Sequence, residues 1–481
     1  MNDTPITLTP DQQHALDKLV AFIDSDDKVF ILCGYAGTGK TTLVKAFITE
    51  LSNRKLKCNL LASTGRAAKI LSNITGGLAT TVHGKIYTFK DFNQDLEETV
   101  TKQQATGVDS TGQLYLTFEL HRLPDDETRT QHFYIIDESS MVSDIADKNI
   151  TQALFGSGRL LKDLLDFDSR GKFIFVGDHG QLPPVVTSSR SAFSPALSVE
   201  YFSQTFKLNA QMVELTQIMR QHKGNDIIES SKRVRALAEN VPQEKWGKLP
   251  LRGYKNIKLY TDSISLVKQY INLIQDNSYN NATLISYYNK RTTELTELIR
   301  PALGKQKMLQ EGDLLLITQN NIPTGLMNGD MVLVTQVDSV VMKRARLTFR
   351  KVELMELFTH KTYSYFMVEE PLYSNETNLN QVQQQGLFID FYKRMKEQGI
   401  KQNTLQFKDM MLTDPYLNAL RAVFGYAITC HKAQGGEWDH VFLDIPRNLT
   451  LNATKSAYQW VYTAMTRARH QLHVIDDFYI K

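Results

Sequence analysis

The chain has 481 residues, 42% of them hydrophobic, which is more than one hydrophobic core usually holds and predicts about two to four domains. Lys and Arg number 55 against 52 Asp and Glu, so the net charge of +3 neither favours nor excludes a polyanionic partner. The cysteines Cys33, Cys58 and Cys430 lack CxxC spacing, which argues against a disulfide framework or a zinc site. The sequence has no signal-peptide pattern and no apolar run of membrane-spanning length, so we expect a cytoplasmic protein without membrane contact.

The most specific signal is a glycine-rich loop that follows the apolar segment beginning at Phe30. Glycines let the backbone turn tightly and point successive N–H groups inward, and the following helix adds the positive end of its dipole. The lysine suits the β and γ phosphates and the next threonine suits Mg²⁺. The predicted nucleotide-binding residues in this loop are Gly34, Gly37, Thr38, Gly39, Lys40, Thr41 and Thr42.

Short apolar segments alternate with helical patterns along the chain and predict parallel α/β layers with strands buried on both faces. The first set of segments comprises residues 29–33, 59–62, 133–136 and 172–176. The second set comprises residues 283–286, 427–428, 441–444 and 473–475. We therefore expect an α/β protein with two such layers, joined near residues 205–225.

Two stretches interrupt this alternation. Residues 88–130 are polar and turn-rich and predict a β-rich insertion into the first layer. Residues 311–424 begin with strand-like segments and include a basic strand at 342–351, which predicts a small barrel inserted into the second layer. The polar tract 381–385 is expected to be a solvated loop.

Two carboxylates, Asp137 and Glu138, follow the apolar segment 133–136. Asp137 would hold hydrated Mg²⁺ and Glu138 would polarise an attacking water, a pair that favours hydrolysis over phosphoryl transfer to a substrate. An isolated Asp-Glu pair also occurs as an ordinary strand end, so the phosphate loop upstream supports the assignment. Gln181, which also follows an apolar segment, is the polar residue best placed to sense a γ-phosphate.

Two arginines, Arg220 and Arg467, have the fork geometry that suits phosphate oxygens. Taken alone, an arginine in such a position is more often a solvated surface residue. Their short motifs, Gln217-x-x-Arg220 and Thr466-Arg467, indicate phosphate binding only in combination with the other motifs of the chain.

These residues belong to a series of short motifs that occur in a fixed order. The series is Gln12, the phosphate loop, Thr64-Gly65-Arg66, Thr81-x-His83, Asp137-Glu138, Gly177-Asp178-x-x-Gln181, Gln217-x-x-Arg220, Thr429-x-His431-Lys432-x-Gln434-Gly435 and Tyr462-x-x-x-Thr466-Arg467. It resembles the motif series of superfamily 1B DNA helicases of the RecD-like group. Thr-x-His alone is uninformative, whereas the whole series from Gln12 to Arg469 is specific.

The resemblance implies two RecA-like P-loop NTPase domains that bind ATP and Mg²⁺ between them, with Gln12 at the adenine, Glu437 in the nucleotide site, and Thr41 and Asp137 at the metal. It also implies that the two arginines approach the γ-phosphate from the other side of the cleft. The implied catalytic residues are Lys40, Glu138, Gln181, Arg220 and Arg467.

The same resemblance implies single-stranded and forked duplex DNA as partners, 5′ to 3′ movement and action as a monomer; it names no protein partner. The implied DNA-binding residues are Thr64, Arg66, His83, Phe89, Thr429, His431 and Gln434. For the two histidines, a hydrogen-bonded polar residue near a strand end is the alternative. Phe89 and Phe92 are candidates for the aromatic tip of a duplex-splitting pin.

The resemblance also divides the chain into domains. The expected units are 1–87 (first part of RecA-like domain 1A), 88–130 (pin-like insertion 1B), 131–220 (second part of 1A), 221–310 (first part of RecA-like domain 2A), 311–424 (SH3-like insertion 2B) and 425–481 (second part of 2A).

Two other functions remain open from the sequence. An RNA helicase of the same superfamily would use a similar groove, because contacts to phosphates and stacked bases do not exclude ribose. A regulatory ATP-dependent switch would bind a protein and hydrolyse ATP without responding to single-stranded DNA.

Overall fold

The computed structural model describes residues 7–98, 114–146, 153–184, 193–217 and 225–481. Two parallel α/β lobes make up most of it, and each of two further sheets is inserted into one lobe. The first lobe is built from residues up to 217 and the second from residues 225–310 and 425–481. In the described residues, no helix has both the length and the apolar composition needed to cross a membrane.

The first lobe contains a six-stranded parallel sheet in the order β3-β2-β6-β8-β1-β9. Its strands are β1 (Val29–Gly34), β2 (Lys57–Ala62), β3 (Ala79–Thr81), β6 (His132–Asp137), β8 (Lys172–Gly177) and β9 (Ala210–Leu215). Helices α1 (Pro10–Ile23), α2 (Lys40–Asn53) and α3 (Gly65–Thr75) cover one face. Helices α4 (Val82–Ile86) and α5 (Leu160–Phe167) cover the other, together with the short helical segments Pro195–Leu197, Val199–Tyr201 and Phe202–Phe206.

Strand β1 shows why the apolar segments are continuous rather than alternating. Phe30 and Leu32 enter the core on one face of the sheet, whereas Val29, Ile31 and Cys33 enter the core on the other. Successive side chains of a strand point to opposite faces, so a strand covered on both sides needs apolar residues throughout. The four strands predicted for this layer are confirmed, each longer by one or two residues.

The second lobe contains a five-stranded parallel sheet in the order β10-β19-β18-β11-β17. Its strands are β10 (Ile257–Tyr260), β11 (Ala282–Ser286), β17 (Ile428–Thr429), β18 (Trp438–Asp444) and β19 (Ala468–Ile475). Its helices are α6 (Ile227–Glu239), α7 (Ser263–Leu273), α8 (Asn289–Ala302), α11 (Cys430–Ala433) and α12 (Lys455–Met465), with short 3-10 turns at Gln275–Asn277 and Arg447–Thr450. The prediction of two parallel layers is therefore confirmed.

A small sheet in the order β4-β5-β7 is inserted into the first lobe. Its strands β4 (Tyr87–Phe92) and β5 (Leu116–Leu120) are antiparallel, and β7 (Ala153–Phe155) runs parallel to β5. The insertion in the second lobe is an antiparallel sheet in the order β15-β14-β13-β12-β16 with two helices. Its elements are β12 (Leu314–Ile317), β13 (Met331–Arg344), β14 (Leu347–Glu356), β15 (Thr362–Val368), α9 (Gln381–Glu397), α10 (Leu405–Thr413) and β16 (Ala422–Phe424), with a 3-10 turn at Glu370–Tyr373.

Two expectations for this second insertion were wrong. The basic stretch 342–351 is not one strand but the tip of the β13–β14 hairpin, which turns at Ala345 and Arg346 with φ angles of 50° and 59°. The tract 381–385 is the first part of α9, where Asn380 and Gln383 form a capping box and Gln384 and Gln385 are buried. The hydrogen bonds of the capping box satisfy the first free N–H groups of the helix, so a polar start is compatible with helix.

The two insertions are packed against each other. The ring of Phe92 lies 5.0 Å from that of Phe388 on α9, and the Leu96 amide donates to Gln402 Oε1 over 3.0 Å. Because Phe92 is only 6% exposed, it is not available as an aromatic tip against a base pair, and that expectation is corrected.

A buried ion pair anchors the second insertion to its lobe. Arg300 on α8 donates two hydrogen bonds to Asp313, at 3.1 Å from Nε and 2.8 Å from Nη2, and Tyr426 donates to the same carboxylate over 2.9 Å. Asp313 is fully buried and Arg300 is 6% exposed. The bidentate geometry and the additional donor compensate for the removal of both charges from water.

We expect Asp313→Ala to lower the free energy of unfolding by about 3–5 kcal/mol, because it leaves the Arg300 guanidinium buried without its counter-charge. The matched control is Asp24→Ala, which removes an exposed ion pair to Arg54 and should cost at most about 1 kcal/mol. Urea unfolding of both variants measures the difference. Equal losses in the two variants would show that the Arg300–Asp313 pair does not anchor the insertion.

Candidate nucleotide and nucleic-acid sites

The phosphate loop connects β1 to α2, as the sequence predicts. Gly37 and Gly39 have φ angles of 80° and 77°, a region that glycine occupies without strain. At Gly34 a Cβ atom would lie 2.7 Å from Thr38 Oγ1, so a side chain does not fit there. Lys40 Nζ donates to the carbonyl of Gly34 over 2.7 Å and to that of Tyr35 over 3.1 Å. The lysine is thus inside the curve of the loop, where it could exchange these carbonyls for phosphate oxygens.

Gln12 lies beside this loop at the start of α1. Its side-chain Oε1 accepts from the Thr9 amide over 3.1 Å, and its Nε2 donates to the Thr38 carbonyl over 3.0 Å. The residue is 3% exposed. Both ends of the side-chain amide therefore have protein partners, and the contact made in this structure fixes α1 against the phosphate loop. A contact with adenine would require one of these partners to be exchanged.

The two acidic residues are at the carboxyl end of β6. Burial and the neighbouring charge of Glu138 raise the pKa of Asp137 to about 6, whereas the charge of Lys40 acts in the opposite direction. Strands β6 and β1 are parallel members of one sheet, so Asp137 at the end of β6 lies at the same edge as the phosphate loop that follows β1. A buried carboxylate with a raised pKa is stabilised by a cation, and oxygen ligands such as Asp137 and Thr41 suit Mg²⁺. Glu138 has a φ of 51°, an uncommon conformation for a non-glycine residue, which redirects the chain after the strand.

The loop after β8 contacts the second lobe. Tyr462 on α12 donates its hydroxyl hydrogen to Asp178 over 2.7 Å and accepts a hydrogen bond from the Ala36 amide of the phosphate loop over 3.1 Å. The Leu182 amide donates to Thr463 Oγ1 over 2.9 Å. Gln181 is 4% exposed, and its Oε1 has no hydrogen-bond partner within the described chain. The cleft at the phosphate loop is therefore lined by both lobes.

Arg235, on α6 of the second lobe, also reaches this cleft. The Arg235 guanidinium lies 3.7 Å from the centroid of the Tyr35 ring, and its Nη1 is 3.7 Å from the Asp178 carboxylate. Ion pairs to Glu214 and Glu239, at 2.9 and 3.2 Å, hold it in place. The sequence analysis missed Arg235, because contacts between residues so far apart in the chain have no local sequence pattern.

Arg467 follows the last turn of α12. It is 5% exposed, its Nε donates to the Thr463 carbonyl over 3.0 Å, and its Nη2 donates to Thr466 Oγ1 over 3.3 Å. Burial is the main cause of the lowered pKa of Arg66, and the charge of Arg467 acts in the same direction. The other predicted arginine, Arg220, lies outside the described residues.

Several predicted DNA contacts lie at carboxyl ends of strands. Thr64 caps α3 by accepting from the Ala67 amide over 3.2 Å, and Thr429 is the capping residue of α11. Burial lowers the pKa of both His83 and His431. Both rings are therefore neutral at neutral pH and suit hydrogen bonding or stacking rather than charge pairing with phosphates. His83 packs against Phe155 with ring centroids 5.1 Å apart, which agrees equally with the alternative of a structural histidine.

Arg66 contacts the second lobe, and Gln434 precedes Gly435, which approaches Ala67 of the first lobe. The Arg66 guanidinium stacks 4.6 Å from the Trp438 ring, and burial lowers the pKa of Arg66 to about 10. A Cβ atom at Gly436 would lie 2.7 Å from the Arg66 guanidinium, so only glycine allows this approach. Gln434 is 2% exposed, and neither polar atom of its side chain has a hydrogen-bond partner in the part of the chain that is described.

Two other predicted residues lie apart from these contacts. Phe89 is half-buried on β4, with its ring 5.7 Å from that of Phe118. Glu437 is exposed and lies 3.5 Å from Arg469 Nε. The structure brings neither of them to the phosphate loop.

The fold and this geometry define a class: a P-loop nucleoside triphosphatase with two parallel-sheet lobes that meet at the phosphate loop. A family model described as AAA domain matches residues 7–253, and one described as UvrD-like helicase C-terminal domain matches residues 424–475. The chain therefore belongs to the AAA domain family. Together with the relatives described next, these two matches identify it as a member of the RecD-like group of superfamily 1B helicases.

Curated relatives align with this chain over different lengths. The RecBCD enzyme subunit RecD of Buchnera aphidicola subsp. Schizaphis graminum is 24% identical over 98% of this chain and 74% of its own length. An uncharacterised protein of Methanocaldococcus jannaschii is 26% identical over 95% of this chain, which spans only 37% of that relative. The ATP-dependent DNA helicase Pif1 of Bdellovibrio bacteriovorus is 32% identical over 37% of this chain and 34% of its own length.

A solved structure of Pif1 helicases at forked double-stranded DNA has a similar fold. Its TM-score is 0.51 at 17% identity, covering 98% of this chain and 92% of that one. At this identity the similarity extends to the fold alone.

We expect Lys40→Ala to lower kcat/KM for ATP hydrolysis by at least about 10²–10³-fold, because it removes the loop's phosphate-binding cation. The unfolding midpoint should change little, since within the described residues Lys40 donates to two carbonyls that water can also satisfy. Lys45→Ala is the control, because Lys45 is an exposed lysine of the same helix. Parent activity in Lys40→Ala would exclude this loop as the nucleotide site.

Proposed function

We propose that the chain is an ATP-dependent DNA helicase that moves 5′ to 3′ on single strands and unwinds forked duplexes. The observation that supports this most directly is a set of cations at the lobe interface whose partners are not carboxylates. Lys40 contacts carbonyls, Lys432 an amide oxygen, Arg467 a carbonyl and a hydroxyl, and Arg66 an indole ring. Polyanions such as a nucleoside triphosphate and a nucleic-acid strand would provide the missing negative charge.

In the nucleotide site, the loop residues would hold the phosphates and Thr41 and Asp137 would hold Mg²⁺, which neutralises charge on the phosphate oxygens when bound. Glu138 would accept a proton from the attacking water. Gln181 would respond to the γ-phosphate through the attacking water, because the unpartnered side-chain oxygen of Gln181 accepts hydrogen bonds and a water can donate one. Arg220 and Arg467 would stabilise transition-state charge, and Gln12 and Glu437 would contact the rest of the nucleotide.

In the DNA site, Thr64, Arg66, His83, Thr429 and His431 would line a groove for a single strand, and Gln434 would link this groove to the nucleotide. The supporting observations are the carboxyl-end positions of the two threonines, the neutral histidines and the unpartnered amide of Gln434. Stacking on neutral rings and contacts to phosphates suit a strand bound without sequence preference.

For the domain organisation we propose the units already named, with 88–130 as a duplex-splitting pin and 311–424 as an SH3-like domain. The antiparallel β4–β5 pair and the five-stranded antiparallel sheet support these assignments. Phe89 would lie at the base of the pin rather than at its tip, because it packs on Phe118 within the sheet. The central part of 88–130 lies outside the described residues.

We expect Glu138→Gln to bind ATP as the parent does but to lose at least about 10²-fold in turnover, because an amide does not accept the proton of the attacking water. Filter binding of labelled ATP and steady-state hydrolysis measure the two effects separately. Glu127→Gln, at an exposed position of the same lobe, is the control. Unchanged turnover in Glu138→Gln would show that another residue acts as the base.

We expect single-stranded DNA to stimulate ATP hydrolysis and unwinding to require a 5′ single-stranded tail. Raising the salt concentration should weaken DNA binding as a power law, because contacted phosphates release counterions even when the net charge is only +3. Duplexes with 5′ or 3′ tails, compared at low salt with ATP and Mg²⁺, test the direction. Unwinding only from 3′ tails would contradict the proposed polarity.

The same assays separate the other functions. Stronger stimulation by RNA than by DNA homopolymers would indicate an RNA helicase. ATP hydrolysis that ignores both nucleic acids would indicate a switch protein.

A further inference from the structure

Helix α12 lies against the loops at the carboxyl edge of the first sheet through side chains three and four residues apart. Gln459 donates to the His179 carbonyl over 3.1 Å, Tyr462 contacts Asp178 and Ala36, and Thr463 accepts from the Leu182 amide. Residues at this spacing share one face of a helix. One face of α12 is therefore fixed to the phosphate loop and to the loop after β8, both of which belong to the other lobe.

Tyr462 makes the contact that connects all three elements. Its oxygen accepts from a backbone amide of the phosphate loop, and its hydrogen is donated to a carboxylate that is 2% exposed. Burial raises the pKa of Tyr462 well above its ordinary value, so the hydroxyl remains a donor at any working pH. Arg235, stacked on Tyr35, holds positive charge beside the same carboxylate.

Arg467 lies just beyond the end of this helix, four residues after Thr463. The Arg467 Nε atom donates to the carbonyl of Thr463, the residue next to Tyr462, so the guanidinium is held against the end of α12. Arg467 is 95% buried, and two of its nitrogens donate hydrogen bonds to Thr463 and Thr466 at the end of the helix. The distance between its guanidinium and the phosphate loop therefore depends on the position of α12. A shift of α12 would move the guanidinium with it, and catalytic groups lose much of their effect when displaced by about 1 Å.

We propose that Tyr462 is a positioning residue that sets the distance between the phosphate loop and Arg467 by bridging Ala36 and Asp178. It touches the loop and not the reacting atoms, so it acts on turnover through Arg467. This inference rests on the proposed ATPase function of the same cleft. It adds that the contribution of Arg467 to hydrolysis depends on the hydrogen bonds of Tyr462.

The test is a double-mutant cycle on ATP hydrolysis with saturating single-stranded DNA. Tyr462→Phe removes one hydroxyl and should lower kcat by roughly 10- to 100-fold, the range expected when a hydrogen bond to a charged group is lost. KM for ATP should stay within about threefold, because the phosphate contacts of the loop remain. In the Arg467→Ala background the same substitution should cause no further loss, because its effect is transmitted through that arginine.

Tyr458→Phe is the matched control. Tyr458 lies one turn earlier on α12 and is 1% exposed, and within the described residues its hydroxyl has no hydrogen-bond partner. Its loss removes the same atom from the same helix without breaking a contact between the lobes, so kcat should equal that of the parent. Circular dichroism and thermal unfolding of all variants identify any loss of folded protein.

Three results would overturn the proposal: parent kcat in Tyr462→Phe, a change confined to KM, or multiplicative losses in the double variant. Hydrolysis measured without DNA separates this failure from that of the helicase proposal. If DNA does not stimulate the parent, the helicase function is wrong. Turnover without DNA in the parent, Tyr462→Phe, Arg467→Ala and the double variant still tests whether Tyr462 acts through Arg467.

Discussion

The contact between α12 and the carboxyl edge of the first sheet is the constraint on which the functional arrangement depends. Parallel sheets place the ends of their strands and the starts of their helices on one edge, so each lobe has backbone N–H groups and polar loops there. Taken alone, either edge would be solvated. Apposed, they bury Asp178, Tyr462 and Arg235, each of which contacts a partner from the other lobe. The same apposition forms the cleft in which a phosphate group would contact both lobes.

Some of the buried polar atoms without partners lie where the lobes meet, whereas others, such as those of Thr318 and Arg421, lie in the second insertion. Gln181, Gln434 and Arg66 each keep at least one such atom within the described residues, and all three lie where the lobes meet. An unpaired buried polar group costs about 1–3 kcal/mol, so a fold selected only for stability would replace or pair these side chains. Their retention is consistent with ligands that complete the hydrogen bonding. The free energy lost by these unpaired groups in the ligand-free protein would then favour binding, because a ligand would supply the missing hydrogen bonds.

The fold was more predictable from sequence than the contacts between lobes. The segments 29–33 and 133–136 are apolar on both faces, and only a strand covered on both sides explains that composition. The β13–β14 turn was missed because Ala345 and Arg346 adopt positive φ without the glycine or asparagine that usually marks such turns. The start of α9 was missed because its apolar positions, such as Leu387 and Phe391, come after a polar first turn. Tyr462 could be recognised in a motif, but its partners Ala36 and Asp178 are more than 280 residues away.

The distribution of charge explains how a nearly neutral chain could bind two polyanions. Away from the cleft, many arginines are neutralised in pairs, as in Arg300 with Asp313 and Arg394 with Asp414. At the cleft, Lys40, Arg66 and Arg467 instead contact carbonyls, a hydroxyl or a ring. Pairing cations elsewhere keeps the net charge near zero and limits non-specific attraction, while the unpaired ones concentrate positive potential where the lobes meet. Since α12 contacts the phosphate loop and is hydrogen-bonded to Arg467, a nucleotide that displaced the loop would also move this guanidinium, and the proposed coupling of hydrolysis to strand binding would follow from that movement.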